Sequence, residues 1–207
     1  MGLNVVQHPL LDHKVTVLRD KETSPKKFRE LVTEMTMLLA YEATRDLAVK
    51  AEQVQTPLTL TNGKILANPD IIIIPILRAG LGMVEGMLNL LPFANVFHLG
   101  LKRDETTFTP ISYYDNIRNL RDKIVFVVDP MLATAGSLNA AFEKIKDHDP
   151  LVIKAVTIIA SPEGKKKVEA EHPDVQIYTA ALDERLNENA YIVPGLGDAG
   201  DRLFGTF

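Results

Sequence analysis

Apolar and polar positions fall into helix-like and strand-like blocks. Phe28, Leu31, Val32, Met35, Leu38 and Leu39 recur at the period of a helix. Ser24-Pro25 ahead of them suits an N-cap followed by a first helical residue. This pattern predicts a helix from Pro25 to about Lys50. Val54 to Thr59 and Lys64 to Leu66 flank Asn62-Gly63, a turn dipeptide, and predict a hairpin folded there. Ile71 to Leu77 is an unbroken apolar run of strand length, as in strands buried on both faces. Pro75 lacks an N–H, so it is expected at a ladder break or near the strand end.

Further strands are expected near 96–101, 124–128, 152–159 and 175–179, and helices near 81–91, 137–146 and 162–171. Residues 102–120 are polar and aromatic without a clear period, which reads as an extended arm or a mobile loop. Alternating strands and helices predict a mostly parallel sheet with helices on both faces. Ligands of such sheets bind at the carboxyl ends of the strands. With 207 residues and no repeat or linker, residues 1–207 read as one domain.

Composition narrows the function classes. Hydrophobic residues make up 46% and charged residues 24%, the balance of an ordinary soluble domain. The net charge of −4 offers no basic field for general nucleic-acid binding. There is no cysteine, which excludes disulfides and thiolate metal sites and is compatible with a reducing compartment. The N-terminal residues read as no signal peptide, and the longest apolar runs are too short for a membrane-spanning helix.

Three segments carry candidate chemistry. Ile124 to Ser137 reads as a buried strand, an acid at Asp129, a small-residue turn and a helix start. Thr134, Ala135, Gly136 and Ser137 can aim backbone N–H groups and two hydroxyls at one anion, aided by the helix N-terminus. Asp129 suits a sugar hydroxyl or a metal-bound water. The same pattern also serves as a plain tight turn, and it is neither a Walker loop nor a dinucleotide fingerprint. In Leu77-Arg78-Ala79-Gly80-Leu81-Gly82, an arginine at a strand end can grip a phosphate or diphosphate, or merely cap the sheet. Arg103, in the charged run after the strand near 96–101, can close over the same group from a flexible arm. In Tyr191 to Arg202, glycines at 195, 197 and 200 uncover backbone groups for a flat ligand edge, unless the segment is simply a turn-rich tail.

Pro75 to Met83, Val128 to Thr134 and Tyr191 to Asp201 resemble the three signature blocks of the uracil phosphoribosyltransferases. His8-Pro9-Leu10, Leu39 to Thr44 and Ala160 to Gly164 match as well, so the resemblance spans essentially the whole chain. It implies an α/β fold of the type I phosphoribosyltransferase kind: a mostly parallel sheet flanked by helices, a hairpin arm and a C-terminal hood over the base. It also implies transfer of the phosphoribosyl group of 5-phosphoribosyl 1-diphosphate (PRPP) to N1 of uracil, giving UMP and diphosphate. Mg²⁺ is the implied cofactor, held mainly by PRPP and water with Asp198 nearby.

By the same resemblance Arg78 and Arg103 bind diphosphate, Asp129 faces the ribose, and Ala133, Thr134, Ala135, Gly136 and Ser137 hold the 5-phosphate. Pro130, Met131, Leu132 and Asp198 join the PRPP site, while Ile192, Gly197, Asp198 and Ala199 meet uracil. Arg78, Arg103, Asp129 and Asp198 are the implied catalytic residues. A dimer-based homo-oligomer, a GTP effector and a cytoplasmic location are further expectations, with neither nucleic acid nor membrane as a partner.

Two departures stand out. Asp129 is followed by Pro130, where wider type I relatives carry two adjacent acids. Position 135 is Ala, where many members have Gly, and its methyl strains the loop only if residue 135 adopts positive φ. A phosphoribosyltransferase for another base and a non-catalytic PRPP-sensing regulator are the competing readings. The C-terminal block opposes the first. The retained Arg78, Arg103, Asp129 and Asp198, with the acidic net charge, oppose the second.

Overall fold

The computed structural model describes residues 2–103 and 110–206. The chain opens with β1 (Leu3–Val5), α1 (Pro9–Arg19) and α2 (Pro25–Ala43). A ribbon of β2 (Val49–Gln55) and β3 (Leu60–Leu66) precedes β4 (Ile71–Leu77) and α3 (Leu81–Leu90). Next come β5 (Asn95–Val96), β6 (Leu99–Arg103), β7 (Pro110–Asp115), β8 (Ile124–Val128), β9 (Met131–Leu132) and α4 (Gly136–Lys146). The remainder holds β10 (Val152–Val156), β11 (Ile159–Ala160), α5 (Pro162–Glu171) and β12 (Gln176–Thr179). It ends with β13 (Ala181–Leu182), β14 (Arg185–Leu186), β15 (Ile192–Val193) and α6 (Ala199–Phe204).

The main sheet has the order β1-β12-β10-β8-β4-β6-β7, with β5 also on β4. Its pairings are parallel except that of β6 with β7. Strand pleating divides the core into two layers. Ile71 and Ile73 of β4 and Ile124, Phe126 and Val128 of β8 face α1, α2 and α3. Ile72, Ile74, Ile76, Val125 and Val127 face α4 and α5. This period of two, with apolar residues at every position, is what a strand covered on both faces requires.

Pro75 lies at a break, as expected. On one edge β4 pairs with β5 through Ile72 and Ile73 and resumes with β6 only at Ile76. On the other edge Pro75 is the last partner, opposite Val128.

Three details differ from the sequence reading, and the arm over 102–120 forms as expected. Helix α2 stops at Ala43 rather than near Lys50. Lys154 of β10, itself buried, donates to the Ala43 carbonyl at 2.8 Å and to Asp46, tying down the helix end from across the fold. The β2–β3 ribbon turns at Thr56–Thr59, where the Thr56 hydroxyl receives the N–H groups of Leu58 and Thr59. Asn62 and Gly63 lie inside β3, opposite Gln53 and Glu52. The strand expected over 152–159 splits after Val156, and β11 joins β9 and β13 in a separate three-stranded sheet. The Ile158 and Ile159 N–H groups both donate to the Pro130 carbonyl, which draws that chain out of the main sheet. Within 102–120, β7 pairs back on β6 as an antiparallel hairpin; the Arg103 side chain and residues 104–109 lie outside the described residues.

Candidate active site

The neighbouring strands β4 and β8 end together. From β4 the chain crosses to β6 on one side and later returns to β8 on the other. The carboxyl ends at such a reversal form the crevice where open α/β sheets hold ligands. A cavity of about 360 Å³ opens there, lined by Asp129, Met131, Ala133 and Ser137 and by Ile192, Gly197, Asp198 and Ala199. A larger groove of about 720 Å³ runs between β1, α2 and β12. It contains none of the strand-end residues, and its Arg45 is already bonded to Glu42 at 2.7 Å.

Helix caps distinguish the cavity from the rest of the molecule. Among the described residues, His8, Ser24, Ser161 and Asp198 side chains cap α1, α2, α5 and α6. Helices α3 and α4 have no side-chain cap. These two begin directly after Arg78-Ala79-Gly80 and after the small-residue turn. The helix dipole favours an anion at either start, although at α3 the Leu81, Gly82 and Met83 N–H groups already donate to the Arg78, Ala79 and Gly80 carbonyls.

The turn before α4 runs through Ala135, whose φ of 65° lies in the left-handed region. The strain anticipated for a methyl at this position is therefore present. It costs about 1–2 kcal/mol, while burying the methyl returns about 0.8 kcal/mol. The terms nearly offset, so Ala135→Gly should leave the melting temperature within a few degrees of wild type. Ala135→Val puts a β-branched residue at positive φ. It should lose about 2 kcal/mol, read by thermal unfolding. Equal behaviour of the two variants would refute this account of the loop.

Asp129 follows the last residue of β8, and the Met131 N–H donates to its Oδ1 at 3.4 Å. Burial pushes its carboxyl up to about 7, and the Met131 hydrogen bond opposes this only in part. Its charge is thus set by the apolar end of the sheet.

Arg78 leaves the end of β4 with its side chain 61% exposed. Its guanidinium lies 3.8 Å from the Asp201 carboxylate and 5.9 Å from the Phe204 ring centre. The turn behind it requires glycine at position 80. A Cβ there would meet the Val128 carbonyl oxygen at 2.5 Å and the Ile76 carbonyl oxygen at 2.6 Å. This close approach brings the turn against the end of β8, beside Asp129.

The C-terminal segment forms the facing wall. In the β14–β15 pair, the Leu186 N–H leaves the ribbon for Glu163 Oε1 at 3.0 Å. Ile192 lies opposite Leu186, and its carbonyl lies close against Gly195. Gly197 is at φ 80°, and Asp198 caps α6 through Oδ1, which accepts the Asp201 N–H at 2.9 Å.

A family model for Uracil phosphoribosyltransferase matches residues 5–206. The chain belongs to the uracil phosphoribosyltransferase family. It is 56% identical over 203 residues to the uracil phosphoribosyltransferase of Dictyoglomus turgidum, covering 98% of each chain. It is 54% identical over 207 residues to that of Thermosipho melanesiensis, covering 100% of each. The solved structure of AQ2163 protein from Aquifex aeolicus is 42% identical, with a TM-score of 0.93 over 98% of this chain and 97% of that one. A hypoxanthine-guanine phosphoribosyltransferase from Bacillus anthracis shares the fold at 17% identity, with a TM-score of 0.55 over 77% of this chain and 80% of that one.

In this uracil phosphoribosyltransferase-family chain, the cavity gathers residues from all three signature blocks. Arg78 stands beside it, with Ala79 in the lining. Leu132 and Ala135 contribute their side chains to the core instead, and Pro130 is buried with its carbonyl engaged by β11. Asn189, Ala190, Tyr191 and Gly200 also line the cavity. Asn189 and Ala190 belong to a turn closed by the Asn187 side chain, which accepts the Asn189 and Tyr191 N–H groups. Asn187 ahead of that turn was the available sequence signal.

Proposed function

We propose that this chain transfers the phosphoribosyl group of PRPP to N1 of uracil, releasing diphosphate and forming UMP. The observation that carries the reading is one cavity bounded by the uncapped start of α4, by Asp129 and by the backbone-rich wall at Gly197–Ala199. The 5-phosphate sits at the turn from Ala133 to Ser137, where the start of α4 has no side-chain cap. Asp129 accepts from the ribose hydroxyls. Arg78 and Arg103 receive the diphosphate as the C1–oxygen bond breaks and its electron pair leaves with the diphosphate. Uracil N1 then bonds to the electron-poor C1, and the proton that N1 carried passes to solvent. Charge grows on the leaving group during this step, which is where fixed cations lower a barrier.

Backbone groups at Ile192 and Gly197–Ala199 read the uracil C4 carbonyl and N3–H. Cytosine carries an amino group and an acceptor there, and unpaired buried polar groups reject it strongly. Among the described residues no group of three or more His, Asp or Glu side chains can hold a metal. Asp129 and Asp198 both line the cavity, and hard carboxylate oxygens suit Mg²⁺ that arrives with most of its ligands from PRPP and water. Bound there, Mg²⁺ supplies charge neutralisation for the diphosphate.

Diphosphate release with uracil, cytosine, orotate, hypoxanthine and no base, with and without EDTA, tests the reaction. Turnover with uracil alone, abolished by EDTA and restored by Mg²⁺, is the expected result. Turnover only with another base would overturn the pocket assignment.

The proposal includes a homo-oligomer. Among the described residues the β2–β3 ribbon has no third strand, and all of β2 is exposed. Isolated two-stranded ribbons are marginal in water, and this one exposes Val49, Val54, Leu60 and Ile65, with Leu58 at its tip 94% exposed. A second copy of the chain would cover that apolar surface, and light scattering on wild type and Val54→Lys tests it. No helix among the described residues is long and apolar enough to cross a membrane. A cytoplasmic location is supported by PRPP itself, a highly charged substrate that does not cross membranes unaided. GTP as an effector rests on the family resemblance and is tested by initial rates across a GTP titration.

A further inference from the structure

The base-reading wall is thin. Gly197 and Asp198 line the catalytic cavity on one side and a second hollow of about 380 Å³ on the other. Leu196 anchors the middle of this stretch in the core, while the Gly195 backbone beside it is held by polar ties.

Those ties converge on a charged pair outside the signature blocks. Asp183 follows β13, its side chain 3% exposed, and its own N–H donates to the Ala160 carbonyl at 2.8 Å. Its Oδ2 accepts the Gly195 N–H at 2.9 Å. Arg19, the last residue of α1, grips both Asp183 oxygens, with Nη1 at 2.7 Å from Oδ2 and Nη2 on Oδ1. The same Nη1 donates to the Gly195 carbonyl at 2.7 Å. Both polar backbone groups of Gly195 are therefore held by one ion pair. Gly195 accepts no side chain: its φ is 62°, and a Cβ would meet the Ile192 carbonyl oxygen at 2.0 Å. Arg202 supports the adjacent residue, donating to the Leu196 carbonyl at 3.1 Å and to the Leu18 carbonyl at 2.6 Å.

The placement of Asp183 gives the pair its consequence. β13 pairs with β11, and β11 pairs with β9, which follows Asp129-Pro130 and leads into the phosphate turn. Asp183 thus joins the base-reading loop to the layer that carries the PRPP contacts.

We propose that Arg19 and Asp183 are positioning residues that fix the Gly195–Ala199 backbone relative to the phosphate turn, and so set uracil affinity and base selectivity. This rests on the uracil reading above. Neither residue lines the cavity among the described residues, so their effect passes through Gly195. A bidentate guanidinium fork suits this task; a lysine holds the charge without the fork geometry.

The test compares wild type with Arg19→Lys, Arg19→Gln and Asp183→Asn. Arg19→Gln should raise KM for uracil about tenfold, roughly 1.4 kcal/mol, and admit more cytosine. KM for PRPP should stay within about threefold. Arg19→Lys should fall between wild type and Arg19→Gln. Hydrogen exchange at residues 195–199 without substrates should quicken in Arg19→Gln, a readout independent of which base reacts. Uracil and PRPP constants moving in parallel, or unchanged exchange in Arg19→Gln, would overturn the proposal. Where Asp183→Asn does not fold, the two Arg19 variants decide. Absence of uracil turnover in wild type would refute the substrate reading, leaving the clamp to stand or fall on exchange.

Discussion

Arg78→Ala should lower kcat/KM about 10²–10³-fold while leaving the fold intact. The magnitude is that of removing one fixed donor from a site where negative charge develops. Stability should barely change. The side chain is 61% exposed, its Asp201 partner is 3.8 Å away, and Phe204 provides an open-surface ring contact. Exposed ion pairs and cation–π contacts of this kind are each worth at most about 1 kcal/mol. Arg78→Lys should recover part of the loss, because it keeps the charge and forfeits the planar fork. The check is steady-state kinetics with thermal unfolding on the same preparations. Wild-type turnover in Arg78→Ala would remove this residue from the mechanism.

The second large effect concerns Asp129 and has opposite signs for activity and stability. Burial raises its carboxyl from 3.8 to about 7. The free enzyme therefore gains the carboxylate only as pH climbs through neutrality. If the carboxylate is the form that accepts from the ribose, kcat/KM for PRPP should rise about tenfold per pH unit below 7 and level off above it. Asp129→Asn should lose that limb and about 10²-fold of the plateau.

The folded state holds this proton more tightly than the unfolded chain. Stability from Asp129 is thus complete below about pH 4 and is lost as pH rises through 7. At pH 8 the buried charge costs on the order of 4 kcal/mol as an upper bound, because the side chain is only partly buried by area. Asp129→Asn should therefore be less active yet more stable than wild type at pH 8, with the gap closing near pH 4. A variant less stable at both pH values would contradict this origin of the shift.

Much of the framework is readable without coordinates because its signals are local. The apolar run Ile71–Leu77 declares a strand covered on both faces, and Pro75 marks its ladder break through a missing donor. Ser24-Pro25 announces a helix start because cap and first turn lie within a few residues. The hairpin forms, but its turn lies at Thr56–Thr59 rather than at Asn62-Gly63, because the Thr56 hydroxyl accepts two N–H groups there. The end of α2 was not readable, because Lys154, far along the chain, supplies the partner for its last carbonyl.

The sequence by itself determined the alternating α/β order, the three chemistry-bearing blocks and the family to which they belong. Period, cap and motif each live within a short window, so residue identity alone carries them. Only the tertiary structure decided what converges: Arg78 beside Asp201, Asp183 and Arg19 behind Gly195, and the two uncapped helices at one crevice. It also decided the charge of Asp129, since burial at the end of β8 raises that carboxyl toward neutrality. Convergence and desolvation arise from packing between distant segments, and a linear pattern does not record them.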